Sequence, residues 1–354
     1  MACGRAMGRV NWERPKHSRT EVDRAGEVLR DSAKANIFEV TRAHDILSNW
    51  RASHSFPLNH FQVSLRRKAR LIDPNALIAQ RLKRASSAIY KLQALPTLRL
   101  SQMQDIGGCR AVVRSVEQVR SLYHEFLEWN AHHLLCEGND YIGNPTPLGY
   151  RSLHVVYRYR SANNIAHDRQ LIEIQIRTRI QHAWATAVET VSTFLRQQLK
   201  AGIGSPHWLR FFAMTSSALA VQEGTPPVPN MPTGRKLYSE IRRSFAALSV
   251  ESKLRAYSVA LETSKHFQHP DAHYYLLCLR ADEKILEYSA YRRSELDLAS
   301  REYEAMEKAY IDRPAVQTVL VRADSIEALK RAYPNFFLDT KSFLQSVANL
   351  INKP

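Results

Sequence analysis

Within residues 171–178, LIEIQIRT, apolar and polar side chains alternate without a break from Ile172 to Arg177. On an extended strand Ile172, Ile174 and Ile176 share one face, while Glu173, Gln175 and Arg177 share the other. An acid, an amide and a guanidinium on a central strand are costly to cover unless they line a polar cleft. The competing reading is an exposed edge strand with a charged face. Two more runs rich in β-branched residues, 109-CRAVVRS-115 and 152-SLHVVYRYRS-161, read as strands, with helices over 116–130 and 180–200. The alternation predicts an α/β (α+β) fold, a mixed β-sheet covered by helices.

Upstream, residues 20–95 read as mainly helical: 36–54 has apolar residues on one helix face, and 57–92 begins with an alternating piece and returns to helix. Downstream, 223-EGTPPVPNMPTG-234 holds four prolines and two glycines and cannot carry a helix. It reads as an exposed linker or lid. Beyond it come a helical stretch (236–265), a hairpin of 273–282 and 284–291 turning at 281–283, a helix (294–311), a strand (315–323) and two short helices. The expected organisation is therefore residues 1–222, a linker at 223–234, and a smaller C-terminal α/β domain at 235–354. In 333-YPNFFLDT-340, Tyr333, Phe336 and Phe337 serve either ordinary packing or a docking surface.

The formal charge is +16, and residues 1–110 contribute 20 Lys+Arg against 9 Asp+Glu. Such an excess suits a polyanionic partner, although many soluble proteins are basic too. The four cysteines, Cys3, Cys109, Cys136 and Cys278, show no metal-ligand spacing and point to a reduced, cytoplasmic setting. No run of about 18 apolar residues exists to span a membrane.

Four constellations carry the chemistry. In 81-RLKRASSAIYKL-92, Arg81, Lys83, Arg84 and Lys91 cluster, a pattern that alone is ordinarily solvated surface. In 105-DIGGCRAVV-113 an acid precedes two glycines and an arginine; Asp105 suits a Mg²⁺ ligand or simply a turn. In 140-DYIGNPTPLGYRSLHVVY-157, Pro145, Pro147 and Gly149 force a loop that delivers Tyr150, Arg151 and His154. Tyr150 can stack a nucleobase or pack. The fourth is 171-LIEIQIRTRIQHAWATAVE-189.

In that order, RxK…K, DxxGxR, DYIxxPxxxGYRSLH and EIQIRTxxxHAW…E, the motifs resemble the RelA/SpoT-type synthetase domain over about residues 75–195. The resemblance implies a nucleotidyltransferase-like fold and transfer of pyrophosphate from ATP to the 3′-hydroxyl of a nucleotide, making the chain a pyrophosphokinase that releases AMP. It implies that Arg81 and Arg110 sandwich adenine and that Lys83 and Lys91 hold the ATP phosphates. By the same resemblance Asp105 and Glu173 bind Mg²⁺, Glu173 also serves as base, Tyr150 stacks the acceptor base, and His154 lies near the transferred phosphates. Gln175, Arg177 and His182 shape the cleft. Phosphoryl transfer of this kind relies on cation clamps, a metal and positioning.

The acceptor loop departs from alarmone-making members. Thr146 stands where they carry lysine, and Asn139 where they are often basic. Fewer point charges near a diphosphate weaken GDP as acceptor. The pattern resembles the toxic small alarmone synthetases, which pyrophosphorylate the 3′ CCA end of tRNA and halt translation. Distributed charge would compensate if 64-SLRRKAR-70 and 81-RLKR-84 face one groove, so Arg66, Arg67 and Lys68 join Arg151, Gln175 and Tyr150 as acceptor-binding candidates. The layout also resembles fused toxin–antitoxin synthetases of the CapRel type, which implies a C-terminal domain that restrains the enzyme and senses a phage protein in antiviral defence. A free alarmone such as ppGpp or ppApp is the alternative product, and a non-catalytic RNA-binding module the second alternative. No upstream metal hydrolase is evident: His44-Asp45, the one candidate pair, sits on an ordinary amphipathic helix.

Overall fold

The computed structural model describes residues 12–352 except 130–131, 162–164, 196, 198, 260–261, 267–270, 311–312, 314–315, 324–325 and 338–339; Cys3 lies outside the described residues. Three helices open the chain: α1 (Arg19–Arg30), α2 (Ile37–Ser53) and α3 (Ser55–Ile72). Ser18 and Asn36 start the first two with capping boxes completed by Glu21 and Glu39, satisfying amides that a helix start leaves unpaired. There follow β1 (Leu77–Leu82), α4 (Ala85–Ala94), β2 (Gly107–Val113), α5 (Val116–Leu127), β3 (Leu134–Asp140), β4 (Leu153–Arg158), β5 (Leu171–Thr178), α6 (Arg179–Leu195) and α7 (Pro206–Gln222). The remainder is α8 (Gly234–Ala247), α9 (Val250–Val259), β6 (Glu262–His266), β7 (Tyr274–Arg280), β8 (Ile285–Tyr291), α10 (Leu296–Ala309), β9 (Val316–Arg322), α11 (Ile326–Ala332) and α12 (Lys341–Ile351).

The nine strands among the described residues form one mixed sheet, ordered β3-β4-β5-β2-β1-β9-β7-β8-β6. β2 and β5 run parallel at its centre, flanked by antiparallel β1 and β4. The C-terminal strands continue the sheet: β9 meets β1 through a single register pair, Arg81 with Val321. The expected hairpin is present as β7 and β8. The alternating piece expected near 57 is instead the body of α3, while β1, β3 and β6 form where no strand was expected.

One face of the sheet is apolar. Ile172, Ile174, Ile176, Cys109, Ala111 and Val155 pack there against Leu58, Phe61 and Leu65 of α3 and Leu122 and Phe126 of α5. Each such large side chain contributes about 1.5–3 kcal/mol on burial. By strand alternation the opposite face presents Gly108, Arg110, Glu173, Gln175 and Arg177. Helices α6 and α7 share a second core with α8, α9 and α12, so the C-terminal helices pack into the same layer as the helices that follow β5.

The proline-rich segment is irregular, as expected, and largely exposed. It is nevertheless fastened. Arg151 Nη2 donates to Pro226 O at 2.6 Å, Arg151 Nη1 to Thr225 Oγ1 at 3.3 Å, and Val228 is buried with its amide on Ser217 Oγ at 3.1 Å. Among the described residues, no helix is long and apolar enough to cross a membrane.

Candidate active site

The polar face of β2, β4 and β5 assembles a connected chain of side chains. Arg110 Nε donates to Gln175 Oε1 at 3.3 Å, and Gln175 Nε2 donates to Glu173 Oε2 at 2.7 Å. The other Glu173 oxygen lies 2.9 Å from His154 Nδ1, and His154 Nε2 lies 2.8 Å from the Tyr150 hydroxyl. Sheet register dictates this order: Arg110 lies opposite Gln175 on one side, and His154 lies opposite Gln175 on the other. Burial disfavours charge on His154, but Tyr150 and Glu173 together lift its pKa to about 9. Burial alone would raise Glu173; hydrogen bonding and charge from His154 keep it below the usual carboxylate range. Partial burial pushes the Tyr150 hydroxyl up, but His154 and Arg177 draw it down to about 8.

A second cluster adjoins the first. Lys83 Nζ lies 2.6 Å from one Asp105 oxygen and Lys91 Nζ 3.0 Å from the other. Burial opposes charge on Asp105, yet the two lysines hold its pKa at about 2. Lys83 and Arg81 leave the sheet where β1 ends, and Lys91 reaches back from the last turn of α4. Asp105, Glu173, Arg81, Lys83 and Arg110 line one cavity of about 50 Å³. Among the described residues no group of three or more acidic, histidine or cysteine side chains converges to hold a metal; Asp105 and Glu173 are the carboxylates of this cavity that could contribute to one, with phosphate and water as the remaining ligands.

A larger cavity of about 260 Å³ opens on the Tyr150 side, bounded by Arg110, Arg177, Trp184, Glu189, Lys200 and Phe212 among others. Glu189 and Lys200 form an ion pair at its wall. Burial works against charge on Glu189, but Lys200, Arg81 and Arg110 hold it far below the usual range. Glu189 closes the fourth sequence motif and had no assigned role, and nothing in the sequence singles out Lys200.

Two expectations fail. Arg151 does not enter the cleft: it is buried, and its Nε donates to Ser216 Oγ at 3.0 Å, its Nη1 to Ile142 O at 3.4 Å. Tyr150 borders the larger cavity, whereas the side chain of Arg151 turns to α7 and the proline-rich segment. Arg66, Arg67 and Lys68 lie on α3, whose apolar residues pack against the face of the sheet opposite Glu173, and Lys68 pairs with Glu125 at 2.6 Å. The run 64–70 and the run 81–84 therefore do not face one groove. Thr146 is occupied in the loop itself, where its Oγ1 accepts from the Tyr150 amide at 3.0 Å, and Asn139 Nδ2 donates to Glu137 at 2.7 Å. Arg177, although buried, borders the larger cavity as expected of a residue that shapes the cleft, and His182 is buried beside it.

One site residue comes from the far end of the chain. Tyr333, just after α11, is 3% exposed, walls the 50 Å³ cavity beside Arg81 and Arg110, and donates its hydroxyl proton to Gln80 O of β1. Phe336 is likewise buried. The packing reading of these aromatics holds, and what Tyr333 packs against is the polar cleft.

Residues 80–196 match a family model described as a region found in RelA / SpoT proteins. GTP pyrophosphokinase YjbM of Bacillus subtilis (strain 168) is 30% identical over 115 residues, which are 32% of this chain and 54% of that protein. The chain thus spans about half the length of that curated relative. Among solved structures, a GTP pyrophosphokinase family protein from Streptococcus pneumoniae is 22% identical, covering 55% of this chain and 91% of that one with a TM-score of 0.40. Small alarmone synthetase 1 from Bacillus subtilis, bound to its product pppGpp, is 20% identical over 56% of this chain and 89% of that one, with a TM-score of 0.37.

Proposed function

From a RelA/SpoT region at residues 80–196, we propose that this chain transfers pyrophosphate from ATP to the 3′-hydroxyl at the CCA end of tRNA, under restraint by its own C-terminal part. The observation that carries the chemistry is the unbroken chain Arg110–Gln175–Glu173–His154–Tyr150, set beside Asp105 with its two lysines. Arg81 and Arg110 offer guanidinium planes for the adenine, and Lys83 and Lys91 take the phosphates once these displace them from Asp105. The acceptor base stacks on Tyr150. Glu173, held by His154 and Gln175, receives the proton of the 3′-hydroxyl as its oxygen bonds to the β-phosphorus; the bond from that phosphorus to the α,β-bridging oxygen breaks and AMP leaves. Asp105 and Glu173 would hold Mg²⁺, which supplies charge neutralisation at the phosphates.

The acceptor assignment draws on the loop beside Tyr150, where Thr146 and Asn139 bring no charge, and on the net +16 of the chain. The name of the relative, a GTP pyrophosphokinase, favours a free guanosine nucleotide as the second reading. Restraint is supported by Tyr333, which fills space beside the two arginines meant for adenine.

The test incubates the full chain and its Tyr333→Ala variant with γ-³²P-ATP and either deacylated tRNA or GDP, GTP and AMP. The expected result is label on tRNA, stronger with the variant, and none when Glu173→Gln is added although ATP still binds. Label on a small nucleotide establishes the second reading. No label from either form removes the proposal.

A further inference from the structure

Arg51 lies on α2, outside the RelA/SpoT region, and its guanidinium is spent entirely on the donor side of the cleft and on α10. Its Nε donates to Lys83 O at 2.6 Å, its Nη1 to Glu307 Oε2 at 2.6 Å, and its Nη2 to the Tyr303 hydroxyl at 2.6 Å. The side chain is only 3% exposed and that of Glu307 12%. The second Glu307 oxygen accepts from the Ala85 amide at 3.2 Å. Ala85 is the first residue of α4, whose N-cap, Arg84, gives no side-chain hydrogen bond. Helix α10 therefore supplies the cap that the sequence around α4 lacks.

The peptide of Lys83 is gripped from both sides, its amide donating to Ile106 O at 2.8 Å and its carbonyl accepting from Arg51. That grip sets where the Lys83 ammonium stands, and Ala85 begins the helix that carries Lys91. A further ion pair, Lys308 to Asp45 at 2.9 Å, also ties α10 to α2.

We infer that Glu307, acting through Arg51 and the Ala85 amide, is a positioning residue for the ATP-phosphate loop, so that the C-terminal part supports the donor site as well as covering it. The inference rests on the proposed binding of ATP by Lys83 and Lys91. A purely inhibitory C-terminal part would gain ATP affinity when any of its contacts is cut. A supporting contact does the opposite: losing Glu307 uncaps α4 and leaves Arg51 buried without its counter-charge.

The experiment uses the full chain carrying Tyr333→Ala, with and without Glu307→Ala or Glu307→Gln, and measures ATP binding by calorimetry together with the separate KM values for ATP and acceptor. Glu307→Ala is expected to weaken ATP about ten-fold or more, to leave the acceptor KM nearly unchanged, and to leave kcat less affected than KM for ATP. Glu307→Gln, which keeps an oxygen for the Ala85 amide, is expected to recover part of the loss. Thermal melts of each variant, set beside Lys308→Ala as a neighbouring cut, separate this from general loosening of α10. Unchanged or tighter ATP binding in Glu307→Ala overturns the inference. If the Tyr333→Ala protein binds no ATP at all, the proposed function fails first, and this inference falls with it.

Discussion

Asp105 shows how much of the site is electrostatics already in place. Its carboxyl is held near pH 2 by Lys83 and Lys91, below the ordinary 3.8 of an aspartate. A depressed carboxylate contributes stability that is present above the unfolded value and lost as pH falls through the folded one. Stability should therefore decline additionally between about pH 4 and pH 2, and Asp105→Asn should remove that part of the acid transition in a thermal-melt series. An unchanged acid profile in the variant would show that the two lysines do not hold the group. At this scale the sequence was informative where a residue's strand face could be counted, as for Glu173 and Gln175. It misled at Arg151, because adjacency to Tyr150 in sequence does not give the partners on α7 and in the proline-rich segment that hold this guanidinium. Arg66, Arg67 and Lys68 failed for a different reason: the side of the sheet on which α3 lies follows from its apolar residues meeting Ile172, Ile174 and Ile176, a tertiary fact.

The loop that presents Tyr150 depends on one glycine. Gly149 has φ +90°, and a Cβ there would stand 2.7 Å from Ser216 Cβ on α7. Ser216 in turn donates to Gly149 O at 2.6 Å and accepts from Arg151. Gly149→Ala should cost about 1–3 kcal/mol from backbone strain, with added clash against α7. Calorimetric unfolding checks the cost; an unaltered midpoint would mean that the loop and α7 move apart freely. Strands rich in β-branched or aromatic residues, β2, β4, β5, β7, β8 and β9, are legible in sequence. β1 was merged with neighbouring helical pattern, and β3, LLCEGND, is an edge strand whose first residues are exposed, so its composition carries little packing signal.

Across the whole molecule, the boundary legible at 223–234 is a change of backbone character within shared cores. β9 pairs with β1, α12 and α8 pack with α6 and α7, and buried Arg51 takes its counter-charge from α10. Expressing residues 1–222 alone should thus yield a protein that aggregates or melts far below the full chain, because it exposes that helix layer and strands a buried cation. Soluble yield and circular dichroism decide the matter; a monomeric, cooperatively melting fragment would show that the first 222 residues hold a complete fold. Point changes such as Tyr333→Ala are the sound way to open the cleft.

The join between β1 and β9 also has a mechanical meaning. Among the described residues the strands form one sheet, yet its own ladder crosses from β1 to β9 at one register pair, a member of which is Arg81. Strands sheared along a long ladder share a load over many bonds, whereas a ladder one rung long passes most of it to the contacts around it. The join at the cleft is therefore carried by side chains more than by backbone rungs, with Tyr333 on Gln80 O, Arg322 on Asn59 and Arg51 on Glu307 spanning the same gap.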